Sequence, residues 1–206
     1  GGTTPFQYSW DNGGSTASVT VNPSVTTTYI LTVTDANNCT ASDSVTVIVQ
    51  DYPVVTVTPD TDICFGSGTA LTASGGSTYS WSPSSGLNDP GVANPFATPS
   101  ATTTYIVTVS NGLCASVDSV TITVAPEIIA GFNPDTLQGE APLTVNFTNN
   151  TSGASSYSWN FGDGNSSFDN SPSNTYTQQG NYTVILIASN SQGCSDTASY
   201  SFIVVD

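Results

Sequence analysis

The sequence predicts an all-β chain of tandem antiparallel β-sandwiches in a rod-like array, and three observations carry that prediction. Thr, Val, Ile and Tyr dominate segments that alternate with a period of two, as half-buried strands do. Gly, Pro, Asn and Asp interrupt those segments at short intervals, where turns need them. One pattern also recurs three times along the 206 residues, and a repeat at that spacing sets the architecture before any local detail. No window carries a helical period.

Each repeat opens on Tyr-Ser-Trp, at Tyr8-Ser9-Trp10, Tyr79-Ser80-Trp81 and Tyr157-Ser158-Trp159. A turn-rich stretch follows, then an aromatic-led strand at 26–33, 102–109 and, more loosely, 180–186. A turn bearing Cys39, Cys114 or Cys194 comes next, and an alternating strand closes each unit at 44–49, 119–124 and 199–205. Trp10, Trp81 and Trp159, with Tyr29, Tyr105 and Tyr182, are expected to pack in cores, where their large apolar area counts most. Pro-bearing joints at 50–53 and 125–127 divide the chain into 1–50, 51–125 and 126–206. They are too short to behave as flexible linkers.

Aligned at Tyr-Ser-Trp, the repeats are unequal. The second has two candidate strands ahead of the motif, at 54–58 and 69–73, and the third has them at 128–132 and 143–148. The first has only seven residues there. A sandwich short of two strands exposes an apolar inner face and unpaired edges. Either the chain is a piece of a longer repeat array, as the missing initiator Met and leader suggest, or a neighbouring molecule donates the strands. Cys64 and Cys114 flank Trp81 and are expected to form a disulfide. It would close a loop of about 50 residues, worth roughly 4 kcal/mol in the chain-entropy view. Cys39 and Cys194 have no evident partner, which leaves free thiols or a bond between molecules.

Charge removes most chemistry. There is no Lys, Arg or His against 15 Asp plus Glu, a net charge of −15. No imidazole or lysine is present for general-base or Schiff-base work, and no side-chain cation can clamp a phosphate. Nucleic acid is excluded as a partner because phosphate neutralisation supplies most of that affinity. Anionic membrane surfaces repel the chain, and no apolar run approaches a membrane span. The two Glu residues, Glu127 and Glu140, and the turn-bound Asp residues do not make a carboxylate pair across a cleft. The expectation is no enzyme and no cofactor.

Calcium is the one metal the donor set suits, since it takes oxygen ligands. The candidates are Asp163 with Asn160 and Asp169, with Asp60, Asp62 and Asp89 behind them. None has a fixed loop spacing, and solvated turn acids are the simpler reading. Four Asp-Ser/Thr-aliphatic triplets, at Asp43-Ser44-Val45, Asp118-Ser119-Val120, Asp135-Thr136-Leu137 and Asp196-Thr197-Ala198, form a second pattern. Three of them look equivalent and are expected just ahead of the final strand, where Asp-Ser/Thr also makes turns.

The third repeat reads Trp159-Asn160-Phe161-Gly162-Asp163-Gly164, then Tyr176 and Gly180-Asn181-Tyr182-Thr183-Val184. It resembles the polycystic-kidney-disease (PKD) repeat, whose hallmarks are W-x-F-G-D-G and a later Y-x-x-x-G-x-Y-x-V. The core Trp and strand-opening Tyr likewise resemble immunoglobulin-like folds. The first two repeats lack Phe-Gly-Asp-Gly. Around 1–10 and 33–39 the chain is similar to repeats of gliding-motility adhesins of Bacteroidota, which leave the cell by the type IX route. That resemblance implies that the Asp-Ser/Thr triplets are O-glycosylation sites at Ser44, Ser119, Thr136 and Thr197.

The resemblances imply an extracellular or cell-surface structural or adhesive repeat protein, either an adhesin rod or a filament subunit. Its partners would be further repeats, copies of itself or surface polysaccharide. The alternative is an accessory binding module of a secreted hydrolase, with Tyr52, Phe96, Phe168 and Tyr200 as the exposed aromatics.

Overall fold

A computed structural model describes residues 1–205, so only the last residue of the predicted 126–206 unit lies outside the described residues. There are strands and turns but no helix among the described residues. The sheets fall into three groups along the chain.

The first group has three strands, β1 (Gln7–Trp10), β2 (Thr27–Thr34) and β3 (Thr40–Val47), in the order β1-β2-β3. Trp10 lies opposite Leu31 and Leu31 opposite Asp43, while Tyr29 lies opposite Val45 and Val33 opposite Ala41. Residues opposite each other share a face, so these side chains form one surface that is apolar except for Asp43. No sheet covers it. The core side chains of the described residues begin only at Leu71, and Val45 is 50% exposed. Trp10 and Tyr29, expected as core aromatics, are only half-buried. The reason is the lack of a second sheet, since the strands themselves alternate correctly.

The second group runs β4 (Thr56–Val57), β5 (Thr61–Ile63), β6 (Thr69–Ala70), β7 (Ala73–Ser74), β8 (Thr78–Ser82), β9 (Phe96–Ala97), β10 (Thr103–Ser110) and β11 (Ala115–Val124). One sheet has the order β5-β11-β10-β8, and the pairs β4-β7 and β6-β9 oppose it. Leu71, Trp81, Ala97, Tyr105, Val107 and Val120 are buried between them. β5 lies parallel to β11, with Ile63 opposite Val124. Gly75 marks the tight turn ahead of β8. Its φ is +113°, and a Cβ there would run into the Val54 carbonyl, so only Gly fits.

The third group comprises β12 (Phe132–Pro134), β13 (Gln138–Glu140), β14 (Leu143–Asn149), β15 (Ser156–Asn160), β16 (Ser166–Ser167), β17 (Ser173–Tyr176), β18 (Gly180–Ser189) and β19 (Ser195–Val205). Its two sheets are β12-β14-β17 and β13-β19-β18-β15-β16. They enclose an aromatic core of Phe132, Phe147, Trp159, Phe161, Tyr176 and Phe202. Phe132 meets Trp159 edge-on at 4.9 Å between centroids, and Phe147 stacks on Phe161 at 5.5 Å, both favoured aromatic geometries. β13 repeats the parallel edge pairing, against β19.

Candidate functional site

The features that recur in all three groups are a tethered Trp and a cysteine at a hairpin tip. Each indole N–H donates to a carbonyl six to eleven residues further along the chain: Trp10 to Thr16 at 3.0 Å, Trp81 to Val92 at 3.0 Å and Trp159 to Asp169 at 2.9 Å. The bond satisfies the one polar atom of a ring placed against the core. Trp81 and Trp159 are fully enclosed, and so is Tyr105, whose hydroxyl donates to Ser85 O at 2.8 Å. Tyr182 is half-buried instead. It covers Tyr176, whose ring is 1% exposed and whose hydroxyl donates to Phe161 O at 3.1 Å. Burial pushes the Tyr176 phenol up to about 12. The central tyrosine of the third sandwich is therefore Tyr176, from β17, which the repeat alignment passes over.

The hairpin tips are built alike. Asp35, Asn111 and Asn190 each accept the backbone N–H of the tip cysteine, at 2.9, 3.1 and 3.1 Å. The same three residues donate their own N–H to the cysteine carbonyl. Asp35 also accepts from Thr3 and Asn37, and the Thr3, Cys39 and Asn37 amides hold its carboxyl below the usual range. Each tip thus holds a cysteine rigidly at the end of its domain.

The structure corrects the cysteine pairing. Cys64 is bonded to Cys194 of the third domain, with Cα atoms 5.6 Å apart, and not to Cys114. Cys194 is therefore neither free nor intermolecular, while Cys39 and Cys114 are free thiols. The physical reason is direction. Cys64 follows β5, at the end of the second sandwich that meets the third, whereas the β10–β11 tip carrying Cys114 faces the first. At that joint the Cys114 Sγ lies 3.4 Å from the Gln50 carbonyl. Asn111 donates to Asp51 O at 2.9 Å, and the Gln50 amide donates to Asn111 O. At the other joint Asp196 accepts from Ala130 N at 2.8 Å, and the Ala130 and Thr197 amides lower its carboxyl. The Asn190 side-chain nitrogen is buried there without a partner.

The Trp-x-Phe-Gly-Asp-Gly turn is a closed polar knot. Asp163 accepts from the Asn165 backbone at 2.9 Å, the Asn165 side chain at 3.0 Å and the Asn174 side chain at 2.8 Å. Gly162 has φ +80°, and its backbone packs on Thr183 with no room for a side chain. Two of the calcium candidates make local bonds as well. Asn160 Oδ1 accepts from Gly162 N, and Asp169 Oδ2 from Ser167. Among the described residues no three Cys, Asp or Glu side chains group as a metal site.

Three of the four Asp-Ser/Thr triplets lie within the closing strands β3, β11 and β19, not ahead of them, and the fourth, Asp135-Thr136-Leu137, connects β12 to β13. Asp43 and Asp118 hold equivalent registers, opposite Leu31 and Val107, but Asp196 lies opposite Ala188, two residues earlier than the match to Leu186. Ser44, Ser119 and Thr197 are exposed, and Thr136 is half-buried with its hydroxyl donating to Gln138 O. Tyr52 and Phe168 are the most exposed of the four surface aromatics, ahead of Phe96 and Tyr200.

Residues 123–205 match the PKD domain family. The third sandwich is a PKD-type immunoglobulin-like domain, and the whole chain is a tandem of immunoglobulin-like β-sandwiches. The chain is similar to the PKD1 domain of the Vibrio cholerae metalloprotease PrtV, with 30% identity over 38% of this chain and 98% of that one, at a TM-score of 0.35. It is also similar to the PKD1 domain of Vibrio anguillarum Epp, with 30% identity over 39% of this chain and 95% of that one, at a TM-score of 0.35. Over 98% of its length it superposes on 87% of a three-immunoglobulin-domain structure of titin, at 14% identity and a TM-score of 0.58. No curated protein matches the sequence. PKD and immunoglobulin-like repeats fit an extracellular structural or adhesive module.

Proposed function

We propose that this chain is a stretch of rod in a bacterial cell-surface adhesin, a serial spacer whose first sandwich is completed by strands from outside residues 1–205. The covalent bridge Cys64–Cys194 between adjacent domains carries the reading. A binding module needs a site, whereas a spacer needs neighbours held in fixed order, and that is what a staple across a short Pro-bearing joint supplies. The surface supports it: with no Lys or Arg, solvation falls to hydroxyls, amides and scattered carboxylates. O-glycans on Ser44, Ser119 and Thr197 would thicken that coat, and export by the type IX route of Bacteroidota fits the repeats of the first two domains. The chain does no catalysis in this reading.

Negative-stain microscopy of natively isolated material, with and without reductant, tests it. Separate beaded rods are expected, with the bead spacing of the stapled pair loosening on reduction. Ordered fibres with an axial repeat near one chain length would make it a filament subunit instead, and compact single particles would overturn both.

The exposure of Tyr52 and Phe168 favours a second reading, an accessory module that holds insoluble polysaccharide. Pull-down on chitin or cellulose that vanishes on replacing both with Ala would establish it. No retention by the unaltered chain would end it.

A further inference from the structure

We infer that the second joint is a two-state redox switch, stapled by Cys64–Cys194 when oxidised and tied by side-chain hydrogen bonds when reduced. In the reduced state the Cys194 thiol donates to the Ala125 carbonyl and the Asn190 amide to the Pro126 carbonyl. The first joint already holds that second arrangement.

The two hairpin tips start from one plan. Asn111 donates its backbone N–H to the Cys114 carbonyl at 3.1 Å, and Asn190 donates to the Cys194 carbonyl at 3.0 Å. Each asparagine side-chain oxygen accepts the N–H of its cysteine, at 3.1 Å in both tips. The sulfurs and the amide nitrogens then part ways. At the first joint Cys114 is a free thiol that donates to the Gln50 carbonyl at 3.4 Å, and the Asn111 amide donates to the Asp51 carbonyl at 2.9 Å. At the second joint Cys194 is bonded to Cys64, and the Asn190 amide nitrogen is buried without a partner. The amide is satisfied where the cysteine is a thiol and orphaned where it is a disulfide.

A buried donor that has left water and found no acceptor raises the energy of the state that contains it. Native structures hold few such groups. Here the bridge fixes the tip against Cys64 and so keeps the amide from an acceptor. Counted from Asp43 and Asp118 of the closing strands, Ala125 and Pro126 stand where Gln50 and Asp51 stand. Pro126 also borders the cleft of about 170 Å³ that Cys64 and Cys194 line. Release of the bridge therefore frees the tip beside the two carbonyls that complete the first joint's pattern.

The same cleft admits a small dithiol. Cys194 is 7% exposed and Cys64 half-buried, so the attacking thiolate reaches the Cys64 sulfur and Cys194 leaves. The second thiol of the reductant then displaces Cys64. One protein disulfide becomes two thiols while the dithiol becomes a cyclic disulfide, with no electron or proton left over. Reduction thus exchanges a covalent staple for a weaker tie, and the joint loosens without becoming a free hinge.

Two measurements on the 206-residue chain test the switch. In isotope-labelled chain, scalar coupling across the hydrogen bond from Asn190 Nδ2 to the Pro126 carbonyl carbon is read before and after dithiothreitol. It is expected only after reduction, with the Asn111–Asp51 coupling present in both states as the reference. No Asn190 coupling in the reduced chain, or the same coupling in both states, overturns the switch. The bridge is also equilibrated with reduced and oxidised dithiothreitol at neutral pH, and its thiols are counted by alkylation and mass spectrometry. Asn190→Ala removes the donor that favours the reduced joint, so the bridge is expected to become about tenfold harder to reduce. Asn111→Ala, at the other joint, is expected to leave that equilibrium unchanged. An unshifted equilibrium in Asn190→Ala, with amide-exchange protection of β18 and β19 retained, overturns the switch as well. If that variant loses its hairpin, the coupling in the unaltered chain decides by itself.

Discussion

Domains one and three start from the same Tyr-Ser-Trp strand and the same tip geometry, yet they end in different states. In domain three Trp159 is 1% exposed beneath Phe132 and Phe147, side chains supplied by β12 and β14. In domain one Trp10 keeps the same indole bond, to Thr16, but has no such strands above it and remains half-buried. The motif alone thus sets the tether and the local turn. The opposing sheet sets burial, and with it most of the stability, because apolar area counts only when it leaves water.

The sharpest way to break the comparison is to remove both indoles in turn. Trp159→Ala should cost about 3–5 kcal/mol of domain-three stability, the range for a buried aromatic. Trp10→Ala should cost about 1 kcal/mol or less in the chain by itself, closer to a surface change. Guanidinium denaturation followed by amide hydrogen exchange resolved by domain checks both, and equal costs would mean that domain one is closed in solution. Next in size is the polar knot. Asp163→Ala strands the Asn174 amide, which is 9% exposed, and should lower domain-three stability by about 1–3 kcal/mol. Cys64→Ser should leave both flanking sandwiches folded, since each has its own core, while separating their unfolding into two transitions by calorimetry.

The smallest effects are those of pH. The Tyr176 phenol is raised in the folded state, so its contribution is complete below about 10, the ordinary phenol value, and is lost as pH rises through about 12. Tyr176→Phe should remove that alkaline loss, read from melting temperatures across the window. Asp35 and Asp196 are lowered by backbone amides, so their contribution holds above the ordinary carboxyl range and fades as pH falls through the lowered values. Asp35→Asn should blunt the acid response in domain one, and Asp196→Asn should blunt it at the second joint.

Much of this was legible from composition and repeat. The three Tyr-Ser-Trp strands, the closing strands and the absent strands of domain one all follow from alternation and alignment. The cysteine partner did not, because flanking Trp81 in sequence says nothing about which end of a sandwich Cys64 and Cys114 occupy. That depends on β5 lying parallel to β11, a pairing that leaves no mark in a local pattern. Tyr176 was missed as the buried tyrosine because the alignment followed the strand holding Tyr182, while depth is decided by the facing sheet. The Asp-Ser/Thr triplets misled because Asp in a strand reads as a turn unless the register is known.

The Cys64–Cys194 bridge spans 130 residues of sequence, and that changes what pulling on the two ends can do. Tension entering at Gly1 crosses at the bridge and leaves toward the carboxyl end, so the enclosed stretch bears none of it. Roughly 450 Å of contour, at about 3.5 Å per extended residue, stays coiled up behind the shortcut. Stretched singly, the oxidised chain should therefore reach its full length early and stiffly. The reduced one should pay out that hidden length before it tightens.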